Sequence, residues 1–126
     1  SETCVNEQID MLAFSPLATG LLSGKYQNGA RPEGSRMTLN EDLGGRVTPR
    51  AFEAVDAYLE VAEKHGLDPS QMAFAWCATR PFMGSVIFGA PSMPPPENAL
   101  AAAELTLSVE VMEDLDAVHK AHPMPY

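Results

Sequence analysis

The chain has 126 residues, 45% of them hydrophobic and 20% charged, and its formal net charge at neutral pH is −9. This length suits one domain, and the composition is that of a globular protein. The acidic balance argues against binding to nucleic acid or to a membrane surface, because both need concentrated lysine and arginine. No long apolar span or signal-peptide pattern is present in the sequence, so we expect a cytoplasmic protein.

The first predicted elements are the tail of a helix and a strand. Residues 1–10 carry apolar side chains at helical spacing. The continuous apolar run Met11–Phe14 follows and is expected to form a buried strand. Pro16 ends this strand, because proline has no N–H group for a sheet ladder.

The loop after this strand has the composition of an anion-binding segment. Its small and hydroxyl residues are Ser15, Thr19, Gly20, Ser23 and Gly24. Backbone N–H groups in such a segment can approach an anion closely, and Lys25 adds a positive charge. We interpret the strand end as a phosphate-binding site.

Two helices are predicted in the centre of the chain. The first has a hydroxyl cap at Thr48, followed by proline, and stops at Gly66. The second opens at Asp68 and ends near Thr79, because the following residue precedes a proline. Residues 26–47 lack periodicity and are expected to form an extended surface loop.

A second short strand is predicted at residues 86–88, closed by Gly89. Strand, helices and strand form a βαβ pattern, in which parallel strands end at the same edge of the sheet. The loops at Ser15 and Gly89 are therefore expected on one rim. Two further helices are predicted, at about residues 97–104 and after the capping Ser108.

The sequence resembles the aldo-keto reductase family, in particular the branch of potassium-channel β-subunits and related bacterial reductases. The likeness covers nearly the whole chain, in family order, through residues 11–26, 31–36, 66–76, 85–90, 97–98 and 107–108. It implies an α/β fold, a helix-rich partial (β/α)8 TIM barrel made of the last two βα units, completed by self-association or rearranged. Residues 1–126 would form a single domain resembling the C-terminal half of such a barrel.

The same resemblance places the family's catalytic Asp, Tyr, Lys and His in the first half of the barrel, outside this sequence. A complete barrel takes about 250 residues. Tyr26, Tyr58 and Tyr126 do not lie in a sequence like that of the catalytic tyrosine. We therefore assign no catalytic residue, and expect the proton donor to come from a missing N-terminal half or another chain.

The resemblance also implies a cofactor, NADP(H) or NAD(H). The matching positions are Phe14, Ser15, Pro16, Leu17, Thr19, Gly20, Lys25, Arg36, Gly89, Glu97 and Asn98. In the family, the aromatic ring at the strand end stacks on the nicotinamide, the following loop lines the pyrophosphate, and the basic positions belong to a loop that folds over the phosphates. Gly89 matches the closing signature, in which the Glu and Asn contact the adenine end. From the residues alone, Phe14 also fits a core side chain, and Lys25 and Arg36 also fit solvated surface charges.

The adenine end departs from the family pattern. Pro91 stands where a small hydroxyl residue is usual, and residues 94–96 are three prolines. Glu97 and Asn98 lie one residue closer to Gly89 than in the family. Because prolines remove backbone donors, we expect them to delay the start of the helix, and the sequence does not distinguish NAD from NADP.

Other reactive side chains show no recognisable catalytic or metal-binding spacing. His65, His119 and His122 lack a third ligand nearby and are interpreted as surface histidines. Cys4 and Cys77 have no CxxC spacing and are expected to be reduced thiols. Trp76, on an apolar helix, is interpreted as a core residue.

Three functions stay open on the sequence. The first is the cofactor-facing portion of a reductase. The second is a non-catalytic module that forms a dimer or a domain-swapped assembly, because two strands leave unpaired edges. The third is a remnant without function, which the proline substitutions favour.

Overall fold

The computed structural model describes residues 2–89 and 95–126, and the side chains of these residues except those of 95–99. The described part is an α/β unit whose elements are α1 (Glu2–Glu7), β1 (Met11–Phe14), α2 (Arg36–Leu39), α3 (Pro49–Lys64), α4 (Pro69–Ala78), β2 (Met83–Ile87), α5 (Pro95–Glu104) and α6 (Val109–Ala121). Two 3-10 turns, Ala18–Ser23 and Gln27–Gly29, lie between β1 and α2. The predicted strands and helices are thus confirmed, with shifts at their ends.

Three helices begin at the capping residues predicted from the sequence. In each case a side-chain oxygen accepts a hydrogen bond from a backbone N–H group. Thr48 accepts from Ala51 at 3.0 Å, Asp68 from Gln71 at 2.9 Å and Ser108 from Val111 at 3.4 Å. Each bond pairs an N–H group that helix geometry leaves without an intrahelical partner. These caps fix where α3, α4 and α6 start.

The two strands are parallel neighbours, with Phe14 opposite Ile87 and an irregularity between Met11 and Leu12. Both strands therefore end at the same edge of the sheet, as the βαβ pattern predicts. The second strand starts and ends earlier than expected, since it covers Met83–Ile87 rather than residues 86–88.

The expectation that β1 is buried is wrong for the described chain. The side chains of Leu12 and Phe14 are 63% and 76% exposed, whereas Met11 and Ala13 are half-buried. Alternate side chains of a strand point to opposite faces of the sheet. One face of β1 is therefore partly covered, and the face that carries Leu12 and Phe14 is open.

The core consists of two clusters joined along α3. The first comprises Leu21, Tyr26, Met37, Leu43 and Val55. The second comprises Val61, Ala62, Met72, Val111 and Leu115. The segment 26–47 is thus not a simple surface loop, because three of its side chains belong to the first cluster. Trp76, predicted as a core residue, is only partly buried at the edge of the second cluster.

Helix α5 begins at Pro95, two residues before the predicted start. The expected delay by prolines is wrong for Pro95 and Pro96, because proline is tolerated in a first helical turn, where N–H groups have no intrahelical partner. Pro91 and Pro94 lie outside the described residues.

Candidate functional site

The strand-end loop, which we define as residues 15–25, leaves β1 through left-handed backbone. Ser15, Ala18 and Thr19 have φ angles of 57°, 47° and 60°, and Gly20 has φ 101°. Residues with a Cβ seldom adopt this region, and such conformations concentrate at binding and catalytic sites. The strain falls within the segment that the sequence predicts to line a pyrophosphate.

Internal hydrogen bonds make this loop compact. The Leu17 carbonyl accepts from the N–H groups of Gly20 and Leu22, at 2.9 and 3.2 Å. The Thr19 hydroxyl, predicted to contact phosphate, donates instead to the carbonyl of Ala18 at 2.6 Å. Its O–H group can reach a ligand only after rotating away from that carbonyl, although its oxygen can still accept.

The structure brings Gly20 and Lys25 together. A Cβ atom at Gly20 would lie 3.0 Å from Cε and 3.2 Å from Nζ of Lys25. The ammonium group also lies 5.1 Å from the ring centroid of Tyr26, a cation–π contact. Because Lys25 is nevertheless exposed, its charge remains accessible to an anion at the loop.

Tyr26 links the two cationic positions predicted from the sequence. Its ring is 1% exposed, and its hydroxyl accepts a hydrogen bond from the backbone N–H of Met37 at 3.3 Å. Tyr26 follows Lys25 directly, and Met37 follows Arg36. This bond therefore fixes the backbone beside Lys25 relative to the first turn of α2, where Arg36 is exposed.

Sequence reasoning placed Tyr26 and Ser35 within the segments of family likeness but assigned neither a role in this region. Ser35 precedes α2, is 9% exposed, and its hydroxyl has no hydrogen-bond partner in the part of the chain that the structure describes. An aromatic residue next to a lysine in a Gly- and Asn-rich segment was the available signal for Tyr26. No sequence signal identified Ser35, because its hydroxyl fits a helix cap equally well.

The remaining predicted positions lie at the strand ends and in α5. Phe14 ends β1 with its ring exposed, so it is not a core side chain in the described chain. Gly89 is exposed after β2, and a Cβ atom there would meet nothing within 4 Å. The backbone of Glu97 and Asn98 lies in α5, and their side chains lie outside the described residues. Pro16 and Leu17 are partly buried at the start of the loop.

Two titratable side chains away from the loop, His65 and Cys77, are respectively tied into the fold and shielded. His65, predicted to be a surface histidine, is partly buried and contacts Asp114 at 2.6 Å, while the Lys64 ammonium donates to the same carboxylate at 2.7 Å. These contacts tie the end of α3 to α6. Burial raises the pKa of the Cys77 thiol, so it is not activated as a nucleophile. Cys4 and Cys77 are free thiols.

The described residues contain neither a metal-binding cluster nor a membrane-spanning helix. No group of three or more His, Cys, Asp or Glu side chains there is arranged to hold a metal ion. No described helix has the length and apolar character needed to cross a membrane.

Comparison with known proteins gives one consistent family. The sequence profile of the Aldo/keto reductase family matches residues 1–120. The chain is 38% identical to Protein tas of Escherichia coli K12, over 99% of this chain and 36% of that protein. It is 32% identical to a probable voltage-gated potassium channel subunit beta of Arabidopsis thaliana, over 94% of this chain and 38% of that protein.

A third relative is the L-glyceraldehyde 3-phosphate reductase of Escherichia coli K12, 32% identical over 91% of this chain and 35% of that enzyme. The chain therefore spans a little over a third of the length of these curated relatives. Because the family profile covers nearly all of the chain, this chain belongs to the aldo/keto reductase family.

Proposed function

We propose that this chain supplies the cofactor-facing strand ends of an NAD(P)H-dependent aldo-keto reductase. The observation that carries the proposal is the parallel register of β1 and β2, which brings the loops at Ser15 and Gly89 to one edge. Ligands of parallel α/β folds gather at the carboxyl ends of the strands. The family match agrees with this assignment.

Features of the loop itself support a phosphate-bearing cofactor. Gly20 leaves room for Lys25 where a side chain would displace it. Arg36 is exposed beside Ser35, whose buried hydroxyl lacks a partner among the described residues. Lysine binds phosphate as a point charge and arginine can bind it with two donors. In a chain of net charge −9, an anionic ligand requires exposed cations such as Lys25 and Arg36 at its binding site.

In this proposal, a bound nicotinamide cofactor supplies a hydride to a carbonyl compound. The chain's own residues bind and orient the cofactor. Phe14 presents an exposed ring for stacking, and Lys25 and Arg36 neutralise phosphate charge. Tyr26 positions both cations through its bond to Met37. The proton donor and the rest of the catalytic tetrad would lie on segments outside this sequence.

The test is a calorimetric titration with NADPH and with NADH, on protein whose mass is fixed by light scattering. We expect binding that weakens at least tenfold in Lys25→Ala and in Arg36→Ala. Lys120→Ala, which removes an exposed cation at the end of α6, serves as the matched control and should bind as wild type does. Absence of binding, or equal binding by all variants, contradicts the proposal.

A second candidate is self-association into a dimer or a domain-swapped assembly. The observation that favours it is the open sheet face, where Leu12 is 63%, Phe14 76% and Ile87 49% exposed. In the described chain each strand also has one partner, so each keeps a free edge that can pair with another strand. A stable oligomer without cofactor affinity would favour this candidate over the first. A monodisperse monomer would exclude it.

Other expectations stay predictions. They are a single domain over residues 1–126, a cytoplasmic location, and no binding to nucleic acid or to a membrane surface. The net charge of −9 supports the last of these, because such partners attract basic proteins. Fractionation of cells and a salt-dependent binding assay with DNA and anionic vesicles would test them.

A further inference from the structure

An apolar cavity of about 410 Å³ lies on the helical side of the chain. Its walls come from the strand-end loop, α3, α4, α6 and the C-terminal tail, which we define as residues 122–126. Ala54 and Tyr58 line it from α3, Ala73 and Trp76 from α4, and Leu115 from α6. Lys25 and Arg36 are not among its lining residues, but Pro16 and three other residues of the strand-end loop are. The cavity therefore adjoins the proposed cofactor site: it shares the loop as a wall and takes its other walls from the helices and the tail.

The C-terminal tail is a fixed wall of this cavity. Three contacts hold it: Thr48 Oγ1 donates to the carbonyl of Pro125 at 2.7 Å, Arg50 Nη2 donates to the carbonyl of Pro123 at 3.0 Å, and the Arg46 guanidinium lies 5.6 Å from the ring centroid of Tyr126. The tail is therefore anchored to the start of α3 and to the residues just before it.

Tyr58 gives the cavity a polar group. Its hydroxyl makes no hydrogen bond in the part of the chain that the structure describes. Burial, and secondarily the proximity of Tyr126, raises the pKa of this phenol, so the hydroxyl is neutral and able to donate at physiological pH. The indole N–H of Trp76 likewise has no acceptor among the described residues. Two donors thus line or border an otherwise apolar space.

We propose that this cavity binds a small uncharged ring compound that carries a hydrogen-bond acceptor such as a carbonyl oxygen. Its volume lies within the range of small-molecule sites, about 300 to 1,000 Å³. Apolar walls hold water weakly, so an apolar ring can displace it. The carboxylate and imidazole side chains at its border, Asp116 and His119, are exposed and offer no buried counter-ion, which disfavours a charged ligand.

An extended chain segment is a poorer occupant than a small molecule. Most of the walls are helical, and their backbone groups are already paired within the helices. An extended segment placed between them would leave its own N–H and C=O groups without partners, at a high energetic cost. A compact ring with one acceptor needs only one hydrogen bond, which the Tyr58 hydroxyl can donate.

The experiment titrates the chain with 6-propionyl-2-dimethylaminonaphthalene, an uncharged naphthalene ketone whose fluorescence shifts to the blue in apolar surroundings. We expect saturable binding of one molecule per chain. Ala73→Phe, which fills the cavity, should abolish it, whereas Ala78→Phe, an exposed position on the same helix, should not. Tyr58→Phe should weaken binding about threefold to tenfold, the effect of one hydrogen bond.

Circular dichroism shows whether each variant folds. Cys77→Leu is a second variant that fills the cavity, for use if Ala73→Phe does not fold. Absence of saturable binding overturns the proposal, and so does binding that survives both filling variants. If Tyr58→Phe binds the ketone as tightly as wild type does, the proposed hydrogen bond from Tyr58 to the ligand's acceptor is rejected. If Ala73→Phe instead converts an oligomer to a monomer, the occupant is a second copy of the chain and the small-molecule site is rejected. This proposal does not depend on cofactor binding.

Discussion

The hydroxyl of Tyr26 accepts a hydrogen bond from the backbone N–H of Met37, in a core where the two residues are 1% and 3% exposed. Because the hydroxyl and the N–H group are both shielded from water, neither can form a hydrogen bond with solvent in place of this one. The bond joins the residue that follows the strand-end loop to the short helix α2, across a segment with little regular structure. It is thus a main constraint on how Lys25 and Arg36 lie relative to each other.

Replacing Tyr26 by phenylalanine removes this constraint and keeps the ring. The Met37 N–H is then buried without a partner, so we expect the free energy of unfolding to fall by about 1 to 3 kcal/mol. Urea denaturation measures the change. Tyr126→Phe, at a side chain 60% exposed, is the matched control and should change stability by less than about 0.5 kcal/mol. Equal stability of Tyr26→Phe and wild type would contradict the hydrogen bond.

A comparison of two glycines distinguishes the energetic cost of backbone strain from that of a side-chain contact. Gly20 and Gly29 have φ angles of 101° and 75°, but only at Gly20 would an added Cβ atom meet a neighbour, Lys25 at 3.0 Å. Gly29→Ala should cost about 1 to 2 kcal/mol from the left-handed backbone alone. Gly20→Ala should cost more and should also weaken NADPH binding by displacing Lys25. Denaturation and calorimetry report the two effects, and identical losses would show that the contact with Lys25 is unimportant.

Asp114 gives the fold a dependence on pH. The hydrogen bond from Lys64, and then that from His65, holds the pKa of this carboxyl below its ordinary value of 3.8. A carboxyl whose pKa is lowered in the folded state stabilises the fold at pH values above its ordinary pKa. This stabilisation is lost as the pH falls through the lowered pKa. Asp114→Asn should therefore be less stable than wild type at pH 6, and the difference should shrink as pH falls below about 4.

Thermal denaturation between pH 3 and pH 7 provides the comparison. Glu113→Gln neutralises an exposed carboxylate on the same helix and serves as the control, because it makes no ion pair among the described residues. A difference between wild type and Asp114→Asn that stays constant over this range would speak against the assigned contacts.

Leu12 tests whether the open sheet face mediates assembly. Its side chain is 63% exposed on β1, and Leu100, on α5, is 70% exposed. A lysine at Leu12 would have to bury its charge if that face were an interface, so Leu12→Lys should lower the mass seen by light scattering. Leu100→Lys should leave the mass unchanged. Both variants should keep the helical circular dichroism spectrum, since neither side chain is buried.

Local signals in the sequence were sufficient to place both strands and the long helices approximately, but they did not predict α2. The hydroxyl and carboxylate caps at Thr48, Asp68 and Ser108 act within a few residues, and the structure contains all three bonds. The parallel pairing of the strands also followed, because strand, helix and strand seldom connect otherwise. The shared edge of the candidate site was predictable for the same reason.

Features that depend on distant parts of the chain were not predictable. An apolar strand such as Met11–Phe14 has the same pattern whether or not anything covers it, so the exposure of Phe14 was missed. The bond between Tyr26 and Met37 joins two residues of a segment without periodicity. The contact between Thr48 and the carbonyl of Pro125 joins positions far apart in sequence. Burial and tertiary hydrogen bonds of this kind have no local sequence signature.

The parallel pairing of β1 with β2 also bears on the order of folding. The strands meet only after the chain has passed through α2, α3 and α4, so closing that long loop costs conformational entropy before any strand contact forms. Helices form from neighbouring residues and reach their structure sooner. We therefore expect the sheet to assemble late, so that during folding β1 is an unpaired strand, open to capture by another chain.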